Sequence, residues 1–227
     1  MFWRFGGYAN VSTIESVLGK EDLRLEDLLD EGDLLQELKG HNAKLVEYLR
    51  SPKVLEQLLA YVVAPRLPSV AARDPEPDSD EDEKGKDVVL NFAGSEAADK
   101  ASEDEVEKKR NRYAFVAAEI LSSENWSICE ALMESRELLR NFWQFLKRPT
   151  PLDPLQASYF TKVNESLLDK KTEDMLDLLK SFEGAIPDIL KHVDCPMIMD
   201  LLLRIISLER TESGHGIVEV CGPGSDD

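Results

Sequence analysis

The sequence has few cysteines and few basic residues, and both shortages exclude classes of protein. It has 3 cysteines in 227 residues, far apart and in no C-x-x-C pair. This usage excludes a disulfide framework and indicates free thiols in a reducing compartment. The chain has 27 Lys and Arg against 45 Asp and Glu, a formal net charge of −18. Because such a chain repels phosphate backbones and anionic lipid surfaces, we expect no nucleic acid and no membrane among its partners.

Long apolar runs are also missing. The most apolar stretch, residues 198–208, contains Asp200 and Arg204, whereas a membrane-spanning helix needs about 20 predominantly apolar residues. The opening residues MFWRFGGYANVS contain no apolar run of about 7 to 15 residues, which a secretory signal would need. We therefore expect a buried core helix at 198–208, and a cytoplasmic protein for which the nucleus is a second compartment.

The patterns of catalytic and metal sites are absent as well. The three histidines are isolated, with no cysteine or second histidine at ligand spacing, and there is no glycine-rich phosphate loop. His192, Asp194 and Cys195 are neighbours in the run HVDC, but residues so close along a helix start point in different directions. A helix junction there, with Asp194 or Cys195 near the cap, is the simpler interpretation. The sequence predicts no catalytic residue, no metal and no cofactor, and hence a protein that is not an enzyme.

Apolar residues at helical spacing dominate the rest of the chain. They predict helices of about 8 to 17 residues with a new pair roughly every 35 to 45 residues, and no strand before Arg210. Ser123, Ser127, Ser135 and Thr172 are the expected N-caps of successive helices. This pattern predicts an all-α, armadillo- or HEAT-like α-solenoid, with a compact irregular bundle as the alternative. Because the helical period is lost after Leu208, we expect the solenoid to be truncated there.

Composition divides the chain into four parts. We predict helical parts at residues 1–72 and 111–209, a disordered acidic insert at 73–110 and an irregular tail at 210–227. The insert begins near the run DPEPDSDEDE, and its Ser79 and Ser102 are followed by acidic residues, as in sites for acid-directed kinases. The cluster KKRNR, Lys108–Arg112, is either the exposed basic first turn of the next helix, a nuclear-import signal or a contact for the insert.

Several blocks of the sequence resemble a known family. They are the opening MFWRF, the segment TIESVLGKEDLRLEDLLDEGDLLQELKGHNAKLVEYL, the helix RYAFVAAEILSSE, the segment PLQASYFTKVNESLLDKKTEDMLDLLK and the helix IMDLLLRII. In this order they resemble the N-terminal portion of the SAPS-domain family, above all its fungal members. This family comprises regulatory subunits of protein phosphatase 6-type serine/threonine phosphatases. The resemblance leaves out the acidic stretch and the last seventeen residues, Thr211–Asp227.

The resemblance implies a noncatalytic helical scaffold that binds a phosphatase 6-type catalytic subunit and directs its substrate choice in cell-cycle and nutrient signalling. The alternative is a generic helical-repeat adaptor for transport or complex assembly, whose similarity reflects shared repeat physics. Surface polar residues in the family-like blocks are the candidates for partner contact: Asp30, Glu31, Asp33, Gln36, Glu37, Asn42, Lys44, Lys162, Lys171 and Glu173. The competing role for each of them is capping or solubility.

Overall fold

A computed structural model describes residues 13–65 and 95–209 of the chain, with side chains from residue 104 to 208 in the second range. The first range contains α1 (Thr13–Leu18), α2 (Leu25–Leu29), α3 (Leu34–Lys39), α4 (Ala43–Leu49) and α5 (Pro52–Val62). The second contains α6 (Ser95–Leu121), α7 (Trp126–Glu134), α8 (Arg136–Trp143), a 3-10 turn (Gln144–Lys147), α9 (Pro154–Lys170), α10 (Thr172–Lys180), α11 (Ala185–Leu190) and α12 (Pro196–Glu209). Within these two ranges there is no strand, and the all-α prediction is confirmed.

The long helices α6, α9 and α12 lie side by side. The hydroxyl of Ser166 on α9 donates to the carbonyl oxygen of Ser122 just after α6, at 3.1 Å. On the other side of α9, the hydroxyl of Thr161 donates to the carbonyl oxygen of Met197 on α12, at 3.0 Å. An ion pair between Asp169 and Arg204 lies further along the same two helices. From the first of these contacts to the second, the residue number rises on α9 and on α12 alike, so the two helices run parallel.

The repeating unit is one long helix followed by two short ones. The units are α6–α7–α8 and α9–α10–α11, and α12 begins the next. Pro154 and Pro196, 42 positions apart, each occupy the first turn of a long helix, where the missing proline N–H breaks no helical hydrogen bond. Three helices in about 40 residues are typical of armadillo repeats. The helical-repeat prediction is therefore favoured over a compact irregular bundle.

Buried aromatic rings fill the centre of the second range. The ring of Phe160 on α9 lies 4.8, 5.5 and 5.0 Å from those of Phe142, Trp143 and Phe145. The Trp143 indole N–H donates to the side-chain oxygen of Asn164 at 2.9 Å, and both residues are buried. A buried indole needs such a partner because an unpaired N–H would retain its full desolvation cost. This contact fixes the distance between α8 and α9.

The structure describes a helix within the C-terminal part of the predicted acidic insert. We expected order to resume after residue 110, but α6 begins at Ser95, so residues 95–110 are helical. They have little apolar periodicity, yet Ala, Glu and Lys are strong helix formers and acidic side chains favour a helix N-terminus. The remaining part of the predicted insert up to residue 94, the predicted tail 210–227 and the opening residues 1–12 lie outside the described residues.

Three of the four predicted N-caps are also corrected. The cap of α7 is Asn125, whose side-chain oxygen accepts from the backbone N–H groups of Ser127 and Ile128 at 3.1 and 3.3 Å, so neither Ser123 nor Ser127 has this role. Thr172 is the first helical residue of α10 rather than its cap, and its hydroxyl donates to the carbonyl oxygen of Leu168 at 2.7 Å. Since a single residue, Lys171, separates α9 from α10, that hydroxyl stays within reach of the last turn of α9. Ser135 does occupy the N-cap position of α8, but its hydroxyl makes no capping bond.

Candidate partner-binding residues

Asp30, the first of the predicted contact residues, connects α2 to α6. Its carboxylate accepts from the Tyr113 hydroxyl at 3.0 Å and lies 3.4 Å from the Lys109 ammonium. The Arg112 guanidinium donates to its backbone carbonyl oxygen. Burial, together with hydrogen bonding to the Asp30 carboxylate, raises the pKa of the Tyr113 phenol. Asp30 therefore holds two separate parts of the chain together.

Glu37 and Asn42 form a local structure at the start of α4. The Asn42 side-chain amide donates to the Glu37 carboxylate at 3.1 Å, while its oxygen accepts from the Leu45 backbone N–H at 3.3 Å. Asn42 is thus a helix cap, and Glu37 orients it. The capping role considered for these residues is the one the structure supports.

Asp33, Gln36 and Lys44 are exposed, and Glu31 is half-buried. Asp33 occupies the N-cap position of α3 without a side-chain capping bond. Like Asp30, these three exposed residues leave much of their side chains open to solvent. They remain candidates for partner contact.

Lys162 and Lys171 both cross between repeat units. Lys162 on α9 pairs with Glu119 on α6. The Lys171 ammonium lies 3.9 Å from the Trp126 ring centroid and 3.0 Å from the Glu130 carboxylate, both on α7. Hydrogen bonds from Lys171 and the Trp126 indole lower the pKa of Glu130. Glu173, the tenth residue predicted for partner contact, is exposed in the first turn of α10.

Trp126 is a surface residue that the sequence analysis did not single out. Its surface is 56% exposed although most of α7 is buried. The ammonium of Lys171 lies over the ring, 3.9 Å from its centroid. Exposed tryptophans in a fixed orientation are frequent anchors of protein interfaces. Its position directly after a capping asparagine is visible in the sequence, but its exposure depends on tertiary packing.

A groove of about 600 Å³ lies between the end of α3 and the helices α6 and α9. The α3 end contributes Leu38, Lys39 and His41, while Lys162 approaches from α9. His41 has a φ of 55°, a left-handed conformation that is uncommon for a residue other than glycine. The segment around residues 35–41 and Lys162 are therefore neighbours in space, although they are far apart in the sequence.

The run HVDC does not form a catalytic triad. His192 is fully buried, and its Nε2 atom lies 2.8 Å from the Leu146 carbonyl oxygen. The contact with Cys195 is a backbone bond, from the Cys195 N–H to the His192 carbonyl oxygen at 2.9 Å. His192 thus connects the end of α11 to the 3-10 turn, and Cys195 precedes α12, as expected for a helix junction.

The basic cluster Lys108–Arg112 lies within α6 rather than in its first turn. Arg110 donates to the Ala64 carbonyl oxygen at 2.6 Å and to Glu107 at 2.7 Å, while Arg112 contacts Asp30. The contacts with Ala64 and Asp30 hold α6 against the ends of α5 and α2. Only Arg110 is largely covered, since 11% of its side chain is exposed, whereas Lys108, Lys109 and Arg112 are exposed. The role as an import signal stays a prediction.

The predicted phosphorylation sites have no described environment. Ser79 lies outside the described residues, and Ser102 lies on α6 at a position whose side chain is not described. Over the ranges with described side chains, no group of three or more His, Cys, Asp or Glu residues could hold a metal ion. None of the helices described for this chain has the length and apolar character to cross a membrane.

The sequence also matches known proteins. The family described as "SAPS: SIT4 phosphatase-associated protein" matches residues 164–222. The "Extragenic suppressor of kinetochore protein 1" of Schizosaccharomyces pombe is 40% identical over 224 residues, which are 96% of this chain and 23% of the relative. The "SIT4-associating protein SAP190" of Saccharomyces cerevisiae is 32% identical over 229 residues, 86% of this chain and 22% of the relative. This chain belongs to the SAPS family.

A vertebrate SAPS relative shows comparable similarity. The "Serine/threonine-protein phosphatase 6 regulatory subunit 3" of Gallus gallus is 33% identical over 207 residues, 91% of this chain and 20% of the relative. The chain therefore spans about a fifth to a quarter of the length of these curated relatives. The SAPS match extends to residue 222, so the expectation that the resemblance ends before Thr211 was wrong. No solved structure matches the chain.

Proposed function

We propose that this SAPS-family chain belongs to a noncatalytic regulatory subunit that binds a protein phosphatase 6-type catalytic subunit. The observation that carries the proposal is the similarity, over 86% and 91% of the chain, to relatives named for association with SIT4 and for regulation of phosphatase 6. A stack of helical repeats suits this role because it presents a broad, rigid surface to a partner. The metals and the chemistry would then belong to the catalytic subunit.

The finer parts of the proposal concern what the assembly does. We propose that the subunit directs substrate choice in cell-cycle or nutrient signalling, and that it acts in the cytoplasm and also in the nucleus. The acidic segment would tune the approach of substrates by its charge, and phosphorylation at Ser79 or Ser102 would increase that charge. Mass spectrometry of the protein from growing and starved cells tests the last point, and unmodified Ser79 and Ser102 in both conditions would count against it.

Affinity purification of the natural full-length protein from its own cells tests the binding proposal. We expect a phosphatase 6-type catalytic subunit to co-purify in stoichiometric amount, and phosphatase activity to disappear when that subunit is removed. A preparation that contains transport or assembly factors and no phosphatase would instead favour the generic helical-repeat adaptor. Activity that remains after removal of the catalytic subunit would contradict the noncatalytic role.

A further inference from the structure

A pocket of about 360 Å³ lies between α8 with its following 3-10 turn and the loop that joins α10 to α11. Its apolar part consists of Trp143, Leu146 and Ala185, which are buried, and Phe182, which is half-buried. The rings of Trp143 and Phe182 lie 5.7 Å apart. Pockets that hold ligands have volumes of about 300 to 1,000 Å³, so this one has room for a side chain of a partner.

Two cations, Arg140 and Lys147, lie on one rim of this pocket. Both are exposed, and neither forms an ion pair within the part of the chain that the structure describes. On the opposite rim, the Asp188 carboxylate is already paired with the Lys191 ammonium at 2.5 Å, so Glu183 is the carboxylate that remains against the two cations. The pocket therefore has an excess of positive charge, although the chain has a net charge of −18.

The Arg140 guanidinium is held in place by an aromatic ring. Its central carbon lies 5.9 Å from the centroid of the Phe182 ring, which is a cation–π contact. A guanidinium in this arrangement keeps the N–H groups along its edge, and these can donate to both oxygens of one carboxylate. Among the described residues the Arg140 side chain donates no hydrogen bond. The Phe182 ring thus orients a cation whose donors are available to an anion from outside.

The distance between the two cations determines the spacing of the anions that can bind them. Four positions separate Arg140 from Gln144, and three positions of the 3-10 turn separate Gln144 from Lys147. Rises of about 1.5 Å and about 2.0 Å per residue place the two cations about 12 Å apart along the helix. In an extended peptide, residues i, i+2 and i+4 face the same side and span about 13 Å. Acidic residues at i and i+4 therefore match the two cations, and residue i+2 then lies over the apolar part of the pocket.

We infer that this pocket binds an extended segment of a partner protein in which an acidic, an apolar and a second acidic residue occupy every second position. The two acidic side chains pair with Arg140 and Lys147, and the apolar side chain packs against Trp143 and Phe182. The excess of positive charge selects such a segment over a basic one. The inference does not depend on phosphatase binding, because the segment is recognised by this chain alone.

Fluorescence polarisation measures the binding of labelled synthetic peptides to the full-length protein. The probes GSESLSESG and GSESFSESG carry the acidic–apolar–acidic pattern, GSKSLSKSG reverses its charges, and GSESGSESG lacks the apolar residue. We expect at least one of the two acidic–apolar probes to bind at least tenfold more tightly than the reversed probe and the probe without an apolar residue. The affinity should fall as salt is added, because salt screens the exposed cations.

Reversal of both cations should exchange this preference. The double variant Arg140→Glu, Lys147→Glu should bind the acidic–apolar probes at least tenfold more weakly than the parent and bind GSKSLSKSG more tightly. The control Lys20→Glu, Lys53→Glu changes the net charge equally at exposed lysines of the first range and should bind like the parent. The midpoint of thermal unfolding checks that each variant is folded. If the double variant is unstable, Lys147→Glu alone tests the same direction of change, since the Lys147 side chain makes no contact to lose among the described residues.

Four results would overturn the inference. Equal affinity of the parent for acidic and basic probes, or no binding of either acidic–apolar probe, would show that the pocket does not recognise this pattern. An equal loss of affinity in both double variants would show that only the net charge matters. A parent dimer that separates in the variant Arg140→Glu, Lys147→Glu would identify a second copy as the occupant. Binding that appears only after deletion of residues 74–83 would identify the acidic run of the same chain.

Discussion

The Lys171 ammonium lies between the Trp126 ring and the Glu130 carboxylate, 3.9 Å from the ring centroid and 3.0 Å from the carboxylate. Trp126 and Glu130 are one turn apart on α7, whereas Lys171 is the single residue between α9 and α10. The contact therefore joins two repeat units. Because only 12% of the Lys171 side chain is exposed, water screens it less than it screens an ordinary surface ion pair.

Replacement of Lys171 with methionine should destabilise the protein. Lys171→Met keeps most of the apolar stem but removes the charge, so both the cation–π contact and the ion pair are lost. We expect the free energy of unfolding to fall by about 1 kcal/mol, as measured by urea denaturation followed by circular dichroism. The control is Lys44→Met, at an exposed lysine. Equal stability of the Lys171→Met variant and the parent would show that the contact contributes nothing.

Glu130 should make stability depend on pH in the acidic range. Hydrogen bonds from Lys171 and Trp126 lower the pKa of Glu130 below its ordinary value of 4.5. A group whose pKa is lower in the folded state stabilises the fold above its unfolded pKa, and that contribution is lost as pH falls through the folded value. The difference in unfolding free energy between the parent and Glu130→Gln should be constant at neutral pH and should shrink below about pH 4.5.

Urea denaturation at a series of pH values between about 7 and about 3 measures this difference. Glu134→Gln provides the control, since Glu134 is exposed one turn further along α7. A difference that grows as the pH falls would show that the sign of the linkage is wrong.

Asn164 should be one of the least replaceable polar residues. It is fully buried, accepts from the Trp143 indole at 2.9 Å and donates to the Phe160 carbonyl oxygen at 2.8 Å. Asn164→Ala leaves the buried indole N–H unpaired and creates a cavity, so we expect a loss of about 3 kcal/mol in the free energy of unfolding. The matched change Asn141→Ala, at an exposed asparagine of α8, should stay within about 0.5 kcal/mol of the parent. Similar values for both variants would contradict the role of the hydrogen bond.

The cap of α7 can be tested by two neighbouring substitutions. Asn125→Ala removes the oxygen that accepts from two backbone N–H groups, and we expect a loss of about 1 kcal/mol. Ser127→Ala removes a hydroxyl that has no capping role there, so its effect should be much smaller. Asn125→Asp should restore most of the loss, since aspartate is an equally good cap. If Ser127→Ala were the more harmful change, the cap would lie where the sequence first suggested.

The local contacts of this fold were easier to predict than those between distant residues. The apolar spacing of Leu176 and Leu179 predicts α10, because one buried side of a helix repeats every three to four residues. The contact of Asp30 with Tyr113 leaves no such period in the sequence, since the two residues are 83 positions apart. Several of the residues proposed to contact a partner, Asp30, Lys162 and Lys171 among them, therefore proved to hold the fold together. Their pairing residues could be identified only from the tertiary structure.

The exposed polar residues near α3 and α4 can be tested as a binding surface for the catalytic subunit. This test rests on the proposed function. The triple variant Asp33→Ala, Gln36→Ala, Lys44→Ala changes exposed side chains. We expect it to reduce the co-purified phosphatase catalytic subunit several-fold and to leave the midpoint of thermal unfolding unchanged. Asp30→Ala should lower that midpoint, because it removes the acceptor of the Tyr113 hydroxyl and the partner of Lys109.

A control triple variant, Glu134→Ala, Glu137→Ala, Asn141→Ala, changes exposed residues of α7 and α8. Equal loss of the catalytic subunit in both triple variants would show that the first surface is not specific, since the effect would then follow from the loss of any exposed polar side chains.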